Sequence, residues 1–550
     1  MSSSASPSTI TSAGCVELSF EWPDGGRVFD GLQASFGPGR TGLIGLNGSG
    51  KSTLLKLLAG ELTATGGEVR VCGEVGYLPQ NVSLDTGLRV DEALGIAGIR
   101  AALRAIHAGD VREEHFAAVG EDWDVEERAV AVLEELGLGH IGLDRTIGEV
   151  SGGESVLLRL AALLLERPDV LLLDEPTNNL DLPARQRLCS AVEAWPGVLV
   201  VVSHDRELLA RVDRIADLHD GEISWYGGNL AAYEEALAVE QEAAQRMVRV
   251  AETDLRKQKR ELADAHVKLA RRKRYGQKMW DTKREPKAVM AQRKRAAQVS
   301  AGKHRIMHET KLAEARQRLA EASDAVRDDD EIRVDLPRTA VPPERTVLTA
   351  RGLHLRHGAR VPGDFDVHGP ERIALVGRNG SGKTTLLRTI AGELAPLAGE
   401  VVGHVPLRFL PQRLDVLAEN ASIAENVARF APGSTNNQIR AGLARFLFTG
   451  DRADRPAATL SGGERFRATL AALVLAEPAP QLLMLDEPTN NLDMASVRQL
   501  VSALDSYAGA LIVASHDVPF LESIGITRWM LLDGRLRVTS AAEVRRTAMS

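Results

Sequence analysis

The sequence predicts an α/β protein made of two copies of one P-loop domain, joined by a long antiparallel α-helical coiled-coil hairpin. Three observations carry this reading. A set of motifs returns in the same order, apolar runs in both copies end in acid, and the segment between them is helix-forming with sevenfold apolar spacing. "GLIGLNGSGKSTLLKLLAGEL" at 42–62 returns as "ALVGRNGSGKTTLLRTIAGEL" at 374–394, and "SGGE" at 151–154 returns at 461–464. "LLLDEPTNNLD" at 171–181 becomes "LMLDEPTNNLD" at 483–493, and "VVSHD" at 201–205 becomes "VASHD" at 513–517. The domains are expected at 14–228 and 345–540, with the hairpin over 229–340 and its tip near 276–290.

Composition sets the outer bounds. A chain of 550 residues is too long for one core, and 44% hydrophobic with 26% charged residues is ordinary for a soluble globular protein. Cys15, Cys72 and Cys189 are far apart and match no metal spacing, so reduced thiols are expected. "MSSSASPSTI" lacks the basic and apolar regions of a signal peptide, and no run approaches 18 apolar residues. A cytoplasmic location is the expectation.

Each repeat opens with β-like runs, then a strand, a glycine-rich turn and a helix. "GLNGSGKS" and "GRNGSGKT" both fit G-x-x-x-x-G-K-[ST]. Gly45, Gly48 and Gly50, and Gly377, Gly380 and Gly382, let backbone N–H groups converge on phosphate oxygens at a helix N-terminus. Asn47, Ser49 and Thr53, with Asn379, Ser381 and Thr385, complete the two loops. Lys51 and Lys383 would reach the β/γ-phosphates of ATP, while the Ser52 and Thr384 hydroxyls would ligate Mg²⁺. "VLLLD" and "LLMLD" read as buried parallel strands ending in Asp174 and Asp486, where a carboxylate can meet Mg²⁺ through water. Glu175 and Glu487 follow and are placed to orient or deprotonate the attacking water.

With "SGGE" present twice upstream of the acidic strands, the chain resembles a tandem ATP-binding-cassette ATPase. The resemblance implies two domains facing head to tail, the P-loop of one and the signature of the other enclosing each ATP. One site would then combine Lys51, Ser52, Gln80, Asp174, Glu175 and His204 with Ser461, Gly462, Gly463 and Glu464. The other would combine Lys383, Thr384, Gln412, Asp486, Glu487 and His516 with Ser151, Gly152, Gly153 and Glu154. Gln80 and Gln412 match the family's Q-loop and would add a ligand for Mg²⁺; His204 and His516 match its switch histidine. Adenine stacking falls to Trp22, with Phe20 as competitor, and in the second copy to His357. The first signature departs from the usual pattern in Val150 and in the "SVLLRL" that follows it.

From Leu230 the chain has no glycine before Gly276 and no proline before Pro286. Val248, Leu255, Leu262 and Leu269 fall seven apart, as do Leu312, Leu319 and Val326. "GQKMWDTKREPK" is expected to break the two limbs. Between Arg256 and Lys311 stand 19 Lys and Arg against 5 Asp and Glu, a net of +14 in a chain of −8, so the remainder carries −22. Such a run repels itself and calls for a polyanion, whose phosphates supply affinity without sequence reading. Arg274, Lys278, Lys283, Arg284, Lys287, Arg293, Lys294 and Arg295 are the candidate phosphate contacts. Tyr275 and Trp280 are candidates for stacking on unpaired bases, with packing of Trp280 inside the tip as the alternative.

Two cassettes and a charged helical linker resemble the F class of ATP-binding-cassette proteins. This resemblance implies a partner, the ribosome, entered at its exit site by the ATP-closed protein. The linker would point toward P-site tRNA and the peptidyl-transferase centre, contacting tRNA and rRNA. Protection against antibiotics or relief of stalled ribosomes would follow. The resemblance also implies a monomer with intramolecular cassette pairing and no membrane subunit. The ATPase of a membrane importer is the rival reading, and it leaves the basic hairpin unexplained. Gln80 to Ser151 spans 71 positions against 49 from Gln412 to Ser461, so the first helical subdomain is expected to be somewhat enlarged.

Overall fold

The computed structural model describes residues 11–549 apart from 83–84, 179, 282–286, 325–331, 333–335, 357–363 and 491, and in parts of the hairpin it describes backbone only. His357 and Val326 lie outside the described residues. Two units emerge, residues 1–230 with 330–550, and residues 231–329.

The first unit holds both α/β domains. In the first, six strands run in the order Val75–Leu78, Val170–Asp174, Val198–Val202, Gly39–Gly45, Arg214–His219 and Glu222–Gly227, all parallel except the last. The second repeats the order with Leu407–Leu410, Leu482–Asp486, Ala510–Ala514, Arg372–Val376, Arg528–Leu532 and Leu536–Thr539. Every residue of Val170–Asp174 and Leu482–Asp486 is buried, as continuous apolar runs in a parallel sheet require. A three-stranded antiparallel sheet accompanies each: Ser12–Glu21 between Arg27–Phe36 and Gly66–Cys72, and Thr346–His354 between Phe365–His368 and Ala398–Gly403. The P-loop helices Lys51–Leu58 and Lys383–Ile390 bury leucines in the cores shared by the two kinds of sheet, which fixes where each P-loop emerges.

The enlargement of the first helical subdomain is real. Val90–Ala93, Ala97–His107, Glu113–Val119 and Val125–Glu135 stand where the second domain has only Ile423–Phe430 and Asn436–Arg445 ahead of its 3₁₀ turns. The two are organised by different chemistry. Arg100, 7% exposed, donates to Asp91, Glu126 and Asp144 at 2.6–2.9 Å. In the second domain Asn426, fully buried, instead exchanges hydrogen bonds with the Ala418, Ala421 and Ser422 backbone.

The second unit is helical. Leu230–Asp281 and Lys287–Asp324 are helices of 52 and 38 residues, the first about 78 Å long at 1.5 Å per residue. Val248, Leu255, Leu262, Leu269, Leu312 and Leu319 are half-buried, and Ala315 and Ala322 beside the last two are buried. Asp254 pairs with Arg318 at 3.1 Å, and position 286 lies midway between them, as an antiparallel hairpin demands. Within the stretch 276–290 expected to hold the tip, the first helix continues through Gly276 to Asp281 and the second has begun by Lys287. One glycine in a helix interior costs about 1 kcal/mol, too little to stop a helix this rich in Arg, Lys, Ala and Gln.

Candidate functional site

Each P-loop is shaped by its glycines. Gly50 and Gly382 precede their helices in the left-handed region, with φ of 101° and 100°. A Cβ at Gly50 would stand 2.7 Å from the Phe29 ring, and one at Gly45 2.3 Å from the Leu218 carbonyl. Only glycine lets the backbone lie so close to the strand beneath it. Lys51 and Lys383 sit at the first helical position, 7% exposed, their ammonium groups donating to the Gly45 and Gly377 carbonyls at 2.8 Å. Burial lowers both ammonium pKa values, opposed by Glu175 at the first and Glu487 at the second. The Ser49 and Ser381 hydroxyls are buried without protein partners, at matching places in the two loops.

The acidic strand ends lie beside them. Ser52 donates to Asp174 Oδ1 at 3.0 Å, and burial raises the Asp174 carboxyl. At the second loop both Asp486 carboxylate oxygens are buried without a hydrogen-bond partner, while the nearby Thr384 hydroxyl partly offsets the effect of burial on that carboxyl. Hydroxyl and carboxylate oxygens so placed suit a hard, partly hydrated cation, so Ser52 with Asp174, and Thr384 with Asp486, fit Mg²⁺. Gln80 and Gln412 stand exposed just beyond Val75–Leu78 and Leu407–Leu410.

Glu175 and Glu487 share an unusual backbone, with φ of 47° and 46°. Each N–H donates to the neighbouring strand, Glu175 to the Val202 carbonyl and Glu487 to the Ala514 carbonyl, both at 2.8 Å. Non-glycine residues held this way cost of order 1–3 kcal/mol and cluster where side-chain direction matters. Burial pushes both carboxyls well above the usual carboxylate range, with the P-loop lysines pulling the other way. The switch histidines face them: His204 Nε2 lies 3.3 Å from Glu175 Oε1, and His516 Nε2 lies 3.4 Å from Glu487 Oε1 and 2.9 Å from Lys383 Nζ. Burial lowers both histidine pKa values, so the rings stay neutral. Neutral imidazoles and carboxyls with raised pKa, beside an ammonium, make proton-accepting sites of matched design.

Ser151 and Ser461 cap the helices Gly152–Glu166 and Gly462–Val474. Glu154 and Glu464 return the bond to the serine N–H groups at 2.8 and 3.0 Å, completing a capping box. Their carboxylates hold the signature turn in shape. Across the interface Gly462 approaches the first P-loop, since a Cβ there would lie 3.9 Å from Asn47 Nδ2. Gly463 backs onto Ser496, and Gly152 has open space around it.

Two residues that the motif reading passed over complete the interface. The Asn47 N–H donates to Asp493 Oδ2 at 3.0 Å, and the Asn379 N–H to Asp181 Oδ2 at 3.4 Å. The last acid of each "DEPTNNLD" thus reaches the opposite P-loop while its other oxygen caps its own helix, at Ser496 N–H and Ala184 N–H. Their signal was present in both copies, but an Asp before a helix reads first as an N-cap.

For the adenine platform the structure separates the two candidates. Phe20 is core, 5% exposed, whereas Trp22 is 39% exposed in the turn leading to Phe29, which touches Gly50. Phe20 meets the Trp22 ring edge-on at 5.0 Å. On the hairpin, Arg274, Tyr275, Lys278 and Arg295 present exposed side chains. Trp280, Lys287, Arg293 and Lys294 are described by backbone alone, and Lys283 and Arg284 lie outside the described residues. No helix among the described residues is long and apolar enough to cross a membrane.

Comparison with known proteins agrees with this geometry. A family model described as ABC transporter matches residues 29–178 and 362–490. The tylosin resistance ATP-binding protein TlrC of Streptomyces fradiae is 34% identical over 519 residues, covering 89% of this chain and 92% of that one. The probable ATP-binding protein YheS of Escherichia coli K12 is 31% identical, covering 90% of this chain and 75% of that one, and sub-family F member 3 of Pongo abelii is 30% identical, covering 90% and 68%. Among solved structures, the archaeal ribosome recycling factor aABCE1, in complex with stalk protein aP1, superposes with a TM-score of 0.55 at 19% identity, covering 95% of this chain and 89% of that one, and so shares the fold. The chain belongs to the ATP-binding-cassette family, and within it to the F class of tandem-cassette proteins.

Proposed function

We propose that the protein hydrolyses ATP at two composite sites and uses the bound, closed state to act on the ribosome through its basic hairpin, giving protection against antibiotics. The observation that carries this is the pairing of two intact sets of ATP-site residues with a helical hairpin whose segment 256–311 has a net charge of +14. In each site the P-loop amides and Lys51 or Lys383 hold the β- and γ-phosphates, and the signature serine of the other cassette covers the γ-phosphate. Glu175 or Glu487 accepts a proton from water as its oxygen attacks the γ-phosphorus, and the bond to the β–γ bridging oxygen breaks, giving ADP and phosphate. His204 and His516, neutral and beside these carboxylates, keep them aimed at the water. Mg²⁺, held by Ser52 with Asp174 and by Thr384 with Asp486, supplies charge neutralisation at the phosphates.

Closure drives the hairpin into the exit site, toward P-site tRNA and the peptidyl-transferase centre. Lys and Arg at the tip hold phosphates there, and Tyr275 and Trp280 stack on bases. Hydrolysis permits release. The name of the tylosin-resistance relative, 34% identical, supports protection as the outcome. Relief of stalled ribosomes is the second reading, because the same hairpin on tRNA serves it. Replacing Lys283, Arg284 and Lys287 with Ala should weaken ribosome binding and flatten its log–log salt slope by about 2–3. Cell-free translation with and without tylosin then separates the readings: rescue only in the drug's presence supports protection, and stimulation without drug supports the second. Unchanged binding across a salt series would remove the hairpin from the interface.

A further inference from the structure

The two signatures are capped alike and braced differently. Glu154 and Glu464 each turn one carboxylate oxygen back to the serine N–H, which leaves each with a second oxygen to satisfy. In the second cassette Arg455 satisfies it: Nη1 donates to Glu464 Oε1 at 3.2 Å, while Nη2 donates to the Thr459 carbonyl at 3.1 Å. One guanidinium thus ties the signature helix to the turn before it, a task that suits its planar fork. Counting back from the serines sets Arg145 opposite Arg455, and Glu149 opposite Thr459. Arg145 turns instead to Glu149, its Nε donating to Oε2 at 2.7 Å, and the Thr146 hydroxyl donates to the other oxygen at 3.3 Å. A carboxylate in place of a threonine has drawn the arginine away.

The place beside Glu154 is taken by His140, whose Nε2 donates to Glu154 Oε1 at 2.9 Å. The turn that carries the ring is itself anchored. Leu138 and Ile141 are buried, the Leu138 N–H donates to the Leu133 carbonyl at 2.6 Å, and the Ile141 N–H donates to the Leu138 carbonyl at 2.8 Å. Burial would raise the Glu154 carboxyl, but the bonds from Ser151 and then from His140 hold it below its usual range, so the oxygen facing the ring accepts. At the matching place in the second copy stands Gly450, which has no side chain to offer. The first signature is therefore braced by an imidazole from a local turn, and the second by a guanidinium fork.

We propose that His140 is a positioning residue for the second ATP site, bracing the first cassette's signature through Glu154 as Arg455 braces the second cassette's signature for the first site. The inference rests on the reading that the cassettes hydrolyse ATP, each signature serving the opposite P-loop. His140 holds Glu154, Glu154 holds the Ser151 N–H, and the Ser151 hydroxyl accepts from the Glu154 N–H at 3.4 Å, which together fix the turn presenting Ser151, Gly152 and Gly153. Without the brace that carboxylate can swing and the turn loosens; its phosphate donors remain but are less well aimed. Half-exposed charged bonds are individually modest, so the effect is severalfold and not a complete loss.

The test follows ADP formation in each cassette separately. The full chain is loaded in parallel with α- and γ-labelled 8-azido-ATP and Mg²⁺, allowed a single turnover, crosslinked and cut in the hairpin. The γ-to-α ratio on each half then reports the ATP left there. His140→Ala should slow ADP formation in the second cassette about threefold and in the first by less than about 1.5-fold. Arg455→Ala should do the reverse. Adding Glu149→Thr to His140→Ala releases Arg145 to take Glu154 as Arg455 takes Glu464, and should restore most of the second cassette's rate. A residue that only supports its own cassette would show neither the crossed selectivity nor the rescue. Losses confined to the cassette that carries the substitution, equal losses in both, no loss in either, or a double variant no faster than His140→Ala overturn the proposal. An unaltered protein that forms ADP in neither cassette refutes the ATPase reading and this inference with it; ADP formed by the unaltered protein, with no crossed selectivity in the variants, refutes this inference alone.

Discussion

At the first P-loop, Asn47 N–H meets Asp493 at 3.0 Å and the second signature's Gly462 comes up against Asn47; at the second, Asn379 N–H meets Asp181 at 3.4 Å and Gly152 faces open space. The strand orders on either side are the same, and so are the left-handed glutamates, the capped signatures and the buried lysines. Duplication has therefore preserved the P-loops, the left-handed glutamates and the capped signatures, and divergence has collected where one cassette touches the other. The lesson is that the sites share their inner residues and differ in how each is completed from across the interface.

The sharpest way to break the comparison removes what the two sites share. Glu175→Gln with Glu487→Gln should lower phosphate release by at least about a hundredfold while ATP binding survives, because the proton acceptor goes and the phosphate cradle stays. Turnover at the parent rate would show that neither carboxylate does this work. A second contrast lies in the helical subdomains. Arg100→Met removes charge-assisted bonds to Asp91, Glu126 and Asp144, although fully buried Asp91 keeps its pair with Arg89, and should destabilise the first cassette by about 3 kcal/mol. Asn426→Ala opens backbone groups in the second and should cost about 1–2 kcal/mol. Thermal unfolding of the two variants checks the order. Smallest is the effect at the interface acids. Asp493→Asn should weaken ATP-dependent closure about fivefold and Asp181→Asn about twofold, the shorter charge-assisted bond being the stronger. Equal effects, read as nucleotide off-rates, would erase the asymmetry.

Much of this was legible in the residues. Two P-loops, two acid-ending apolar strands and two "SHD" triplets carry their chemistry in local order, so repetition alone located them and the sheets that hold them. The hairpin's limbs were legible for the same reason, a period of seven on both sides of a basic turn. What escaped the sequence was either ambiguous locally or set by a partner. "SGGE" is itself the S-x-x-E pattern of a capping box, a role of Glu154 and Glu464 that the motif's reading as a nucleotide signature left unstated. Asp181 and Asp493 look like N-caps and serve as such, and their second role exists only when the cassettes face each other. The extent of the tip was legible only loosely, because one glycine's helix penalty is small beside the many helix formers around Gly276.

In the function proposed above, ATP-held closure of the cassettes is what presents the hairpin to the ribosome. Sedimentation of the Glu175→Gln, Glu487→Gln variant with 70S ribosomes, with and without ATP, tests it most directly. Co-migration with the ribosomes is expected in ATP, and a protein left at the top of the gradient in its absence. A variant that stayed at the top under both conditions, or travelled with ribosomes regardless of nucleotide, would contradict it.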